Sequence, residues 1–201
     1  MATSKTQMLN LALTSIGENV VTDINDTSQD AARKGKLLFE PTVREVLRDG
    51  VYNCVKQRIQ LAADPTPPFG WSYAYTMPQD CVRVLQMNGH TIEENYVPGL
   101  YEIEGRQILT NDDTCKIAYI EYTDDVTVFD PLLDRAIITL LASYLAEIIP
   151  VDAELAIAKL NQFEKKKKSA KRVDGNEANK RRWSRTANST WVASRRIQPG
   201  E

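Results

Sequence analysis

The sequence has few of the residues that most often carry catalysis or bind metal ions. It contains one histidine, His90, and three cysteines, Cys54, Cys81 and Cys115, which lie far apart and form no CxxC pair. An odd number of scattered cysteines is typical of buried thiols in a reducing cytoplasm, not of a disulfide framework or a zinc site. A lone histidine in a turn-like segment supplies no acid–base or nucleophilic motif. We therefore expect a protein that is not an enzyme and that has no cofactor and no metal site.

Long apolar runs are also missing. The longest apolar stretch, residues 132–149, is interrupted by Asp134, Arg135 and Glu147, whereas a membrane span needs about 18 nearly uninterrupted apolar residues. The first 17 residues lack the basic and apolar segments of a secretory signal. An apolar share of 42% in 201 residues is still enough for a folded core. These features predict a globular protein with no membrane partner.

Positive charge is scarce along most of the chain and concentrated at its end. Residues 1–162 carry 13 Lys and Arg against 23 Asp and Glu, whereas residues 163–201 carry 12 against 4. Exposed Trp and Arg residues are enriched at the energetic centres of protein interfaces. The candidate partner-binding residues of the basic end are Lys165, Lys166, Lys167, Lys168, Arg181, Arg182, Trp183, Arg185, Trp191, Arg195 and Arg196. The four consecutive lysines have three interpretations: a solvated helix end, a phosphate-binding patch, or a docking site for an acidic protein.

Residues 173–201 are rich in Gly, Asn, Ser and Arg and contain no run that could build a core. Such a composition is typical of a segment that becomes ordered only on another surface, because ordering costs about 1–2 kcal/mol per residue. The sequence therefore predicts two parts, a body over residues 1–172 and an extended basic docking arm over residues 173–201.

Apolar residues recur with helical spacing in four segments of the body. They predict helices over residues 4–17, 27–50, 130–149 and 152–172. Ser4, Asp130 and Asp152 stand where N-caps are expected, and Thr27 has capping-box-like spacing to Asp30. A proline at position 41 lies inside the second helix, where we expect a kink or a break.

The third and fourth predicted helices differ in the residues that they offer for packing. The third carries the broadest apolar stripe and is expected to be central, while its small residues Ala142, Ser143 and Ala146 would admit a further helix or another subunit. The fourth is expected to bury one apolar face. That face comprises Ala153, Ala156, Ile157, Leu160 and Phe163.

Between the helices, residues 52–123 alternate apolar or aromatic side chains with polar ones, as β-strands do. Gly105 followed by Arg106 is a suitable tight turn for a hairpin. The expected fold class is α+β. N-terminal and C-terminal helices form a bundle, residues 52–123 insert a small, mostly antiparallel β-sheet, and the basic arm follows.

Taken in order, several segments resemble the tail tubular protein A family, the head-to-tail adaptors of short-tailed bacteriophages. The resemblance spans about residues 8–172, and its specificity comes from the occurrence of all segments in this order. They are LNLAL at 9–13 with IGE at 16–18, Ala31-Ala32 leading to Pro41 and Val46-Leu47, PFGWSYAY at 68–75 with PQDCVRV at 78–84, YEIEGR at 101–106 with Ile108-Leu109, and FDPL at 129–132.

The resemblance implies a non-enzymatic structural protein. In such phages a dodecameric ring of adaptors attaches beneath the portal protein, receives the tail nozzle protein on its other side and extends the channel for DNA. The implied partners are the portal, the nozzle, other copies of the chain and genome DNA that passes without sequence-specific binding. The implied location is the virion tail at the portal vertex, after synthesis in the host cytoplasm. An acidic body with a basic end suits a ring, because cyclic interfaces join two different patches of one subunit.

Two other functions remain open from the residues alone. The first is a nucleic-acid-binding protein that uses the lysines and the Trp and Arg residues of the arm on phosphates and bases. An acidic body argues against it, because nucleic-acid-binding domains are normally basic. The second is an enzyme with a small-molecule pocket in the sheet insertion, which would need a cleft with several convergent polar groups.

Overall fold

The computed structural model describes residues 4–91, 100–149 and 153–178. Within those ranges the chain forms four α-helices and seven β-strands, so the predicted mixed α+β class is confirmed. The helices are α1 (Lys5–Ser15), α2 (Asp30–Asp49), α3 (Pro131–Ile148) and α4 (Ala153–Ala178). The strands are β1 (Lys56–Leu61), β2 (Tyr73–Thr76), β3 (Cys81–Met87), β4 (His90–Thr91), β5 (Tyr101–Glu104), β6 (Gln107–Thr110) and β7 (Cys115–Glu121).

Two helix starts follow the capping rules that the sequence predicts. The Ser4 hydroxyl oxygen accepts a hydrogen bond from the Gln7 N–H at the start of α1. The Asp130 carboxylate accepts one from the Leu132 N–H at 2.8 Å, and Pro131 occupies the first turn of α3. Each cap satisfies a backbone donor that the helix itself leaves unpaired. Both boundaries were therefore predictable from short-range chemistry.

The start and the middle of α2 differ from the prediction. Thr27 does not cap this helix, which begins at Asp30 after Gln29 and has no side-chain cap. Asp26 instead accepts hydrogen bonds from Ser28 and from the Gln29 side chain in the turn before it. The expected break at Pro41 is also wrong, because α2 continues from Asp30 to Asp49. Pro41 is exposed, so water can bind the carbonyl that lacks its usual helical donor.

The helical core is built around α3, which packs against the other three helices. Its buried side chains include Leu133, Ile137, Leu140 and Leu141, as expected for the central helix. The small residues of this helix are buried within the same chain. They are Ala142, Ser143 and Ala146. The face of α3 that carries these small residues was expected to admit a further helix or another subunit. In the structure α4 runs along α3, so a helix of the same chain takes this role.

The last helix is longer than predicted, and its buried face is different. It extends to Ala178, so residues 173–178 of the predicted arm are helical. Its buried apolar residues recur every seven positions, at Ala156, Phe163 and Ala170. Ile157 and Leu160 were predicted to face the core but are 63% and 45% exposed. At 100° per residue, Ile157 is turned away from the buried line, whereas Leu160 lies at its edge, four residues after Ala156 and three before Phe163.

Hydrogen bonds and ion pairs fasten the second half of α4 to the body. The buried Asp174 carboxylate accepts a hydrogen bond from the Asn53 N–H at 3.0 Å, and the Asn53 side chain donates to the Asp174 carbonyl at 3.1 Å. One turn earlier, Lys171 Nζ lies 2.8 Å from the carboxylate of Asp49, the last residue of α2. These contacts place the later half of α4 beside the C-terminal end of α2.

The β insertion forms two antiparallel sheets instead of the single sheet that was predicted. One sheet has the order β1-β7-β3-β4 and the other the order β2-β6-β5. The predicted β region begins with a 3-10 turn over Asn53–Val55, directly before β1. The hairpin prediction is confirmed, because β5 and β6 pair around Gly105, whose φ of 56° suits glycine.

The two sheets enclose a second, smaller hydrophobic core. Its members are Tyr75, Cys81, Val84, Met87, Tyr101, Ile108, Cys115, Ile117 and Tyr119. The other side of the four-stranded sheet reaches the helical core through Leu85 and Ile120. Two arginines join α2 to β3, since Arg48 donates to the Val82 carbonyl and Arg83 to the Arg48 carbonyl, both at 3.0 Å. The helices and the sheets are thus held together by apolar packing and by hydrogen bonds.

Candidate protein-interaction surfaces

The four consecutive lysines lie in the interior of α4 and not at a helix end. The helix continues for ten residues beyond Lys168. The helix dipole therefore does not stabilise these cations, because its favourable effect on positive charge is confined to the last turn. The helix turns the four side chains in different directions. Lys165 and Lys168 are exposed, whereas Lys166 and Lys167 are half-buried.

Lys166 and Lys167 make contacts within the chain. Lys166 Nζ donates to the Thr139 hydroxyl at 2.8 Å, and burial together with nearby cationic groups lowers its pKa. Lys167 Nζ lies 2.7 Å from the Glu164 carboxylate and 3.1 Å from that of Asp49. Burial opposes the charge of Lys167, but these hydrogen bonds outweigh it and raise the pKa. Two of the four predicted partner-binding lysines therefore have structural partners in the body.

The two exposed lysines form one surface with a third cation, Arg172, which is not among the predicted partner-binding residues. Lys165, Lys168 and Arg172 are spaced by three and four residues, so they lie on one face of α4, over about 10 Å. All three are exposed, and within the described residues none has a hydrogen bond or an ion pair. We call these three residues the basic stripe. The spacing of the three cations by three and four residues was the available sequence signal, whereas a run of four adjacent lysines does not show which of them face solvent.

The other candidate residues lie outside the described part of the chain. They are Arg181, Arg182, Trp183, Arg185, Trp191, Arg195 and Arg196. The helix that precedes them is fixed to the body, because Asp174, four residues before its last residue, accepts a hydrogen bond from Asn53.

A group of carboxylates lies around the first turn of α1 and in the turn before α2. Asp23 accepts a hydrogen bond from Thr6, and Asp124 forms an ion pair with Lys5, so both flank the first turn of α1. Asp125 follows directly along the chain, and Asp26 lies in the turn before α2. We call Asp23, Asp26, Asp124 and Asp125 the acidic end.

Hydrogen bonds keep carboxylates of the acidic end ionised. Donors in Ser28 and Gln29 lower the pKa of Asp26, the Lys5 ammonium and the Tyr122 hydroxyl lower that of Asp124, and Thr127 lowers that of Asp125. Lys5 is the only cation that pairs with any of these four carboxylates among the described residues. Asp23, Asp26 and Asp125 therefore have no ion-pair partner within the described residues, whereas the charge of Asp124 is offset by Lys5 and by the nearby Arg44.

An apolar groove of about 680 Å³ runs beside the outer face of α2. Its walls include Ile24, Leu37 and Pro41, and Leu37 is 74% exposed. Arg33, Lys36 and Arg44 stand on its rim. Together with the exposed Ile157 and Leu160 of α4, this groove provides apolar area that an interface could cover.

A second open groove, of about 690 Å³, crosses the four-stranded sheet. It is lined by polar side chains that include Arg58, Gln86, Asp112 and Lys116. Asp112 accepts a hydrogen bond from the Asn88 side chain at 2.9 Å and so stabilises the turn before β4. This groove is the place where a small-molecule site in the sheet insertion would have to lie.

Among the described residues, the chemistry-bearing side chains do not converge. His90 is exposed at the start of β4, beyond the turn in which Asn88 and Gly89 have positive φ. Two thiols, Cys81 and Cys115, are buried as expected, and burial raises the pKa of each to about 11. Cys54, in contrast, is exposed, which corrects the expectation of a buried thiol there. Within the same residues, no group of three or more His, Cys, Asp or Glu side chains is placed to hold a metal ion, and no helix has the length and apolarity of a membrane span.

Comparison with known proteins adds no assignment. No model of a protein family matches the sequence, and no curated protein matches it. The surfaces described above therefore have to be interpreted from their own chemistry.

Proposed function

We propose that this chain is a structural head-to-tail adaptor of a short-tailed bacteriophage. In this proposal it forms a ring, dodecameric as the resemblance implies, that joins the portal protein to the tail nozzle protein and extends the DNA channel. It acts in the virion tail at the portal vertex, after synthesis in the host cytoplasm, and it has no enzymatic activity. Genome DNA passes through the ring without sequence-specific binding.

The main support is the ordered resemblance to the tail tubular protein A family, considered together with where its segments lie. LNLAL belongs to α1, whose Leu9, Ala12 and Leu13 are buried. FDPL contributes the buried Phe129 and the Asp130 cap of α3. The other segments supply buried residues of α2 and strands of both sheets. The resemblance therefore covers framework residues of both hydrophobic cores, which is what a shared architecture would require.

The distribution of charge supports the same proposal. A subunit in a ring needs two different patches that complement each other, and the described surface carries the basic stripe and the acidic end on different elements. The basic segment after Ala178 is proposed to dock in extended form on the portal or on a neighbouring subunit. Its tryptophans and arginines would anchor it.

The test is an image of the full chain together with the portal ring, by electron microscopy. The proposal expects a ring of this protein beneath the portal, coaxial with the channel. A portal that carries no density for this chain, or one isolated copy of it, contradicts the proposal. Portal alone is the control.

Nucleic-acid binding is the second candidate, and the basic stripe is the observation that favours it. Lys165, Lys168 and Arg172 could contact phosphates along one groove edge. Binding of the isolated chain to duplex DNA across a series of salt concentrations separates the candidates. Affinity that falls steeply with salt, without ring formation on portal, would favour the nucleic-acid-binding function.

A further inference from the structure

The basic stripe lies beside the C-terminal end of α2, whereas the acidic end lies before α2 and beside its middle. Asp26 accepts a hydrogen bond from the side chain of Gln29, directly before the first residue of α2. Asp49, the last residue of α2, pairs with Lys167 and Lys171 of α4, next in sequence to Lys168 and Arg172. Asp124 lies nearer to the stripe than Asp26 does, because its partner Lys5 lies over the Phe39 ring, ten residues or about 15 Å along α2 from Asp49. Within the described residues of one chain, no ion pair joins the two patches.

Most of the charged groups in both patches form no ion pair within the described residues. The three cations of the basic stripe have no ion pair within the described residues. At the acidic end, the hydrogen-bond partners of Asp23, Asp26 and Asp125 are uncharged groups of the neighbouring turns. Charges in such an arrangement attract an oppositely charged surface and determine its orientation.

We propose that the basic stripe of one copy docks on the acidic end of the next, which makes this pair of surfaces the subunit interface. The inference rests on the proposed ring and identifies the residues that would form its contacts. Complementary patches on different parts of a subunit produce head-to-tail association, which closes into a ring when the rotation between copies permits it. The exposed Ile157 and Leu160, one to two turns before Lys165 on α4, supply apolar area next to the charged contact.

A second copy fits the basic stripe better than DNA does. Three cations over about 10 Å are few for a duplex-binding surface. The body that carries them is acidic, with 23 Asp and Glu against 13 Lys and Arg in residues 1–162. A duplex would be repelled by that body, whereas a copy of the chain offers the matching carboxylates.

The experiment exchanges the charges of the two patches in the full chain. One variant, K165E/K168E/R172E, makes the stripe acidic, and the other, D23K/D26K/D125K, makes the acidic end basic. Each variant alone should lose assembly by at least tenfold in the concentration required. An equimolar mixture should assemble again, with alternating subunits, because every interface then joins opposite charges. Native mass spectrometry, with and without the portal ring, measures the composition of the oligomers.

Two further variants guard against misfolding and against a general effect of charge. D23N/D26N/D125N keeps side-chain oxygens that can accept the turn hydrogen bonds, and it should weaken assembly while the circular dichroism spectrum is unchanged. R58E/K116E reverses the charge of two exposed cations of the four-stranded sheet, outside both patches, and should assemble like the wild type.

The outcomes separate this inference from the proposed function. If the wild type forms no oligomer with or without portal, the proposed function fails and the inference fails with it. If the wild type assembles and both charge-exchanged variants also assemble alone, the inference fails and the ring stands. A mixture that stays monomeric, or a complex that stops at a closed dimer, also overturns the head-to-tail contact. Loss of duplex binding by K165E/K168E/R172E with normal assembly would assign the stripe to nucleic acid.

Discussion

One glycine, Gly35, shows how closely α1 and α2 approach each other. Gly35 lies in α2 and is buried, and a Cβ atom built there would stand 2.4 Å from Leu9 Cδ1. Leu9 is itself fully buried in the helical core, so its side chain has little room to move. The absence of a side chain at position 35 is therefore a packing requirement of the α1 and α2 contact.

Gly35→Ala should destabilise the protein by about 1–3 kcal/mol, the usual cost of overpacking a core. The gain in helix propensity offsets part of this cost. Gly175→Ala is the matched control, because Gly175 is an exposed residue of α4 with no atom within 4 Å of a built Cβ. The control should stabilise the protein by about 0.5 kcal/mol. Urea unfolding measures both, and equal effects of the two variants would contradict the close approach.

At the scale of elements, α4 does more than present charge, because its last turns are bound to the body. Asp174 accepts the N–H of Asn53 at 3.0 Å just before β1, and the Asn53 side chain returns a hydrogen bond. A deletion that begins at residue 173 removes both bonds, whereas one that begins at residue 179 keeps them. The two deletions separate the helix from the segment that follows it.

Removal of residues 173–201 should lower the free energy of unfolding by about 1–3 kcal/mol, since the partly buried Asn53 N–H loses its acceptor. Removal of residues 179–201 should leave the unfolding transition unchanged. Circular dichroism during heating compares both with the full chain. Equal thermal transitions for the two truncated chains would mean that the bonds of Asp174 add nothing to stability.

The elements that short-range chemistry determines were predictable from the sequence. Ser4 and Asp130 cap their helices through their own side chains, and Gly105 forms its turn without distant partners. Predictions that depended on tertiary packing were less accurate. The burial of Ile157 was wrong because any of several faces of α4 could have packed on α3, and spacing alone did not select the face with the small residues. The bonds between Asp174 and Asn53, 121 residues apart, had no local signal at all.

The candidate site was predictable only as a region. Sequence spacing located the basic end, but the helix divides its lysines between internal contacts and solvent. Lys167 binds Asp49 across the fold, a contact that neither position indicates by itself. The sequence also did not predict that the carboxylates of the acidic end lie together, because loops separated by about a hundred residues meet at the first turn of α1.

At the scale of the whole molecule, the basic stripe and the acidic end lie on different elements, and α4 carries the stripe. Its last turns contact Asp49 and Asn53. Like charges repel, so the basic residues 180–196 gain little from the stripe and should favour an acidic partner elsewhere. In the proposed particle the portal ring or a neighbouring subunit provides that partner.

Removal of residues 179–201 should therefore reduce attachment to the portal ring sharply and leave the body folded. Trp183→Ala should reproduce much of the loss, because truncation of a tryptophan at the centre of an interface commonly costs about 2 kcal/mol or more. Trp71→Ala is the matched control, because it removes a tryptophan side chain from the body, in the connection before β2. It should leave attachment unchanged if the body remains folded. Sedimentation with portal rings measures attachment, and circular dichroism confirms folding. If the shortened chain binds portal as tightly as the full chain, the basic segment is not a docking element, and attachment must come from the body alone.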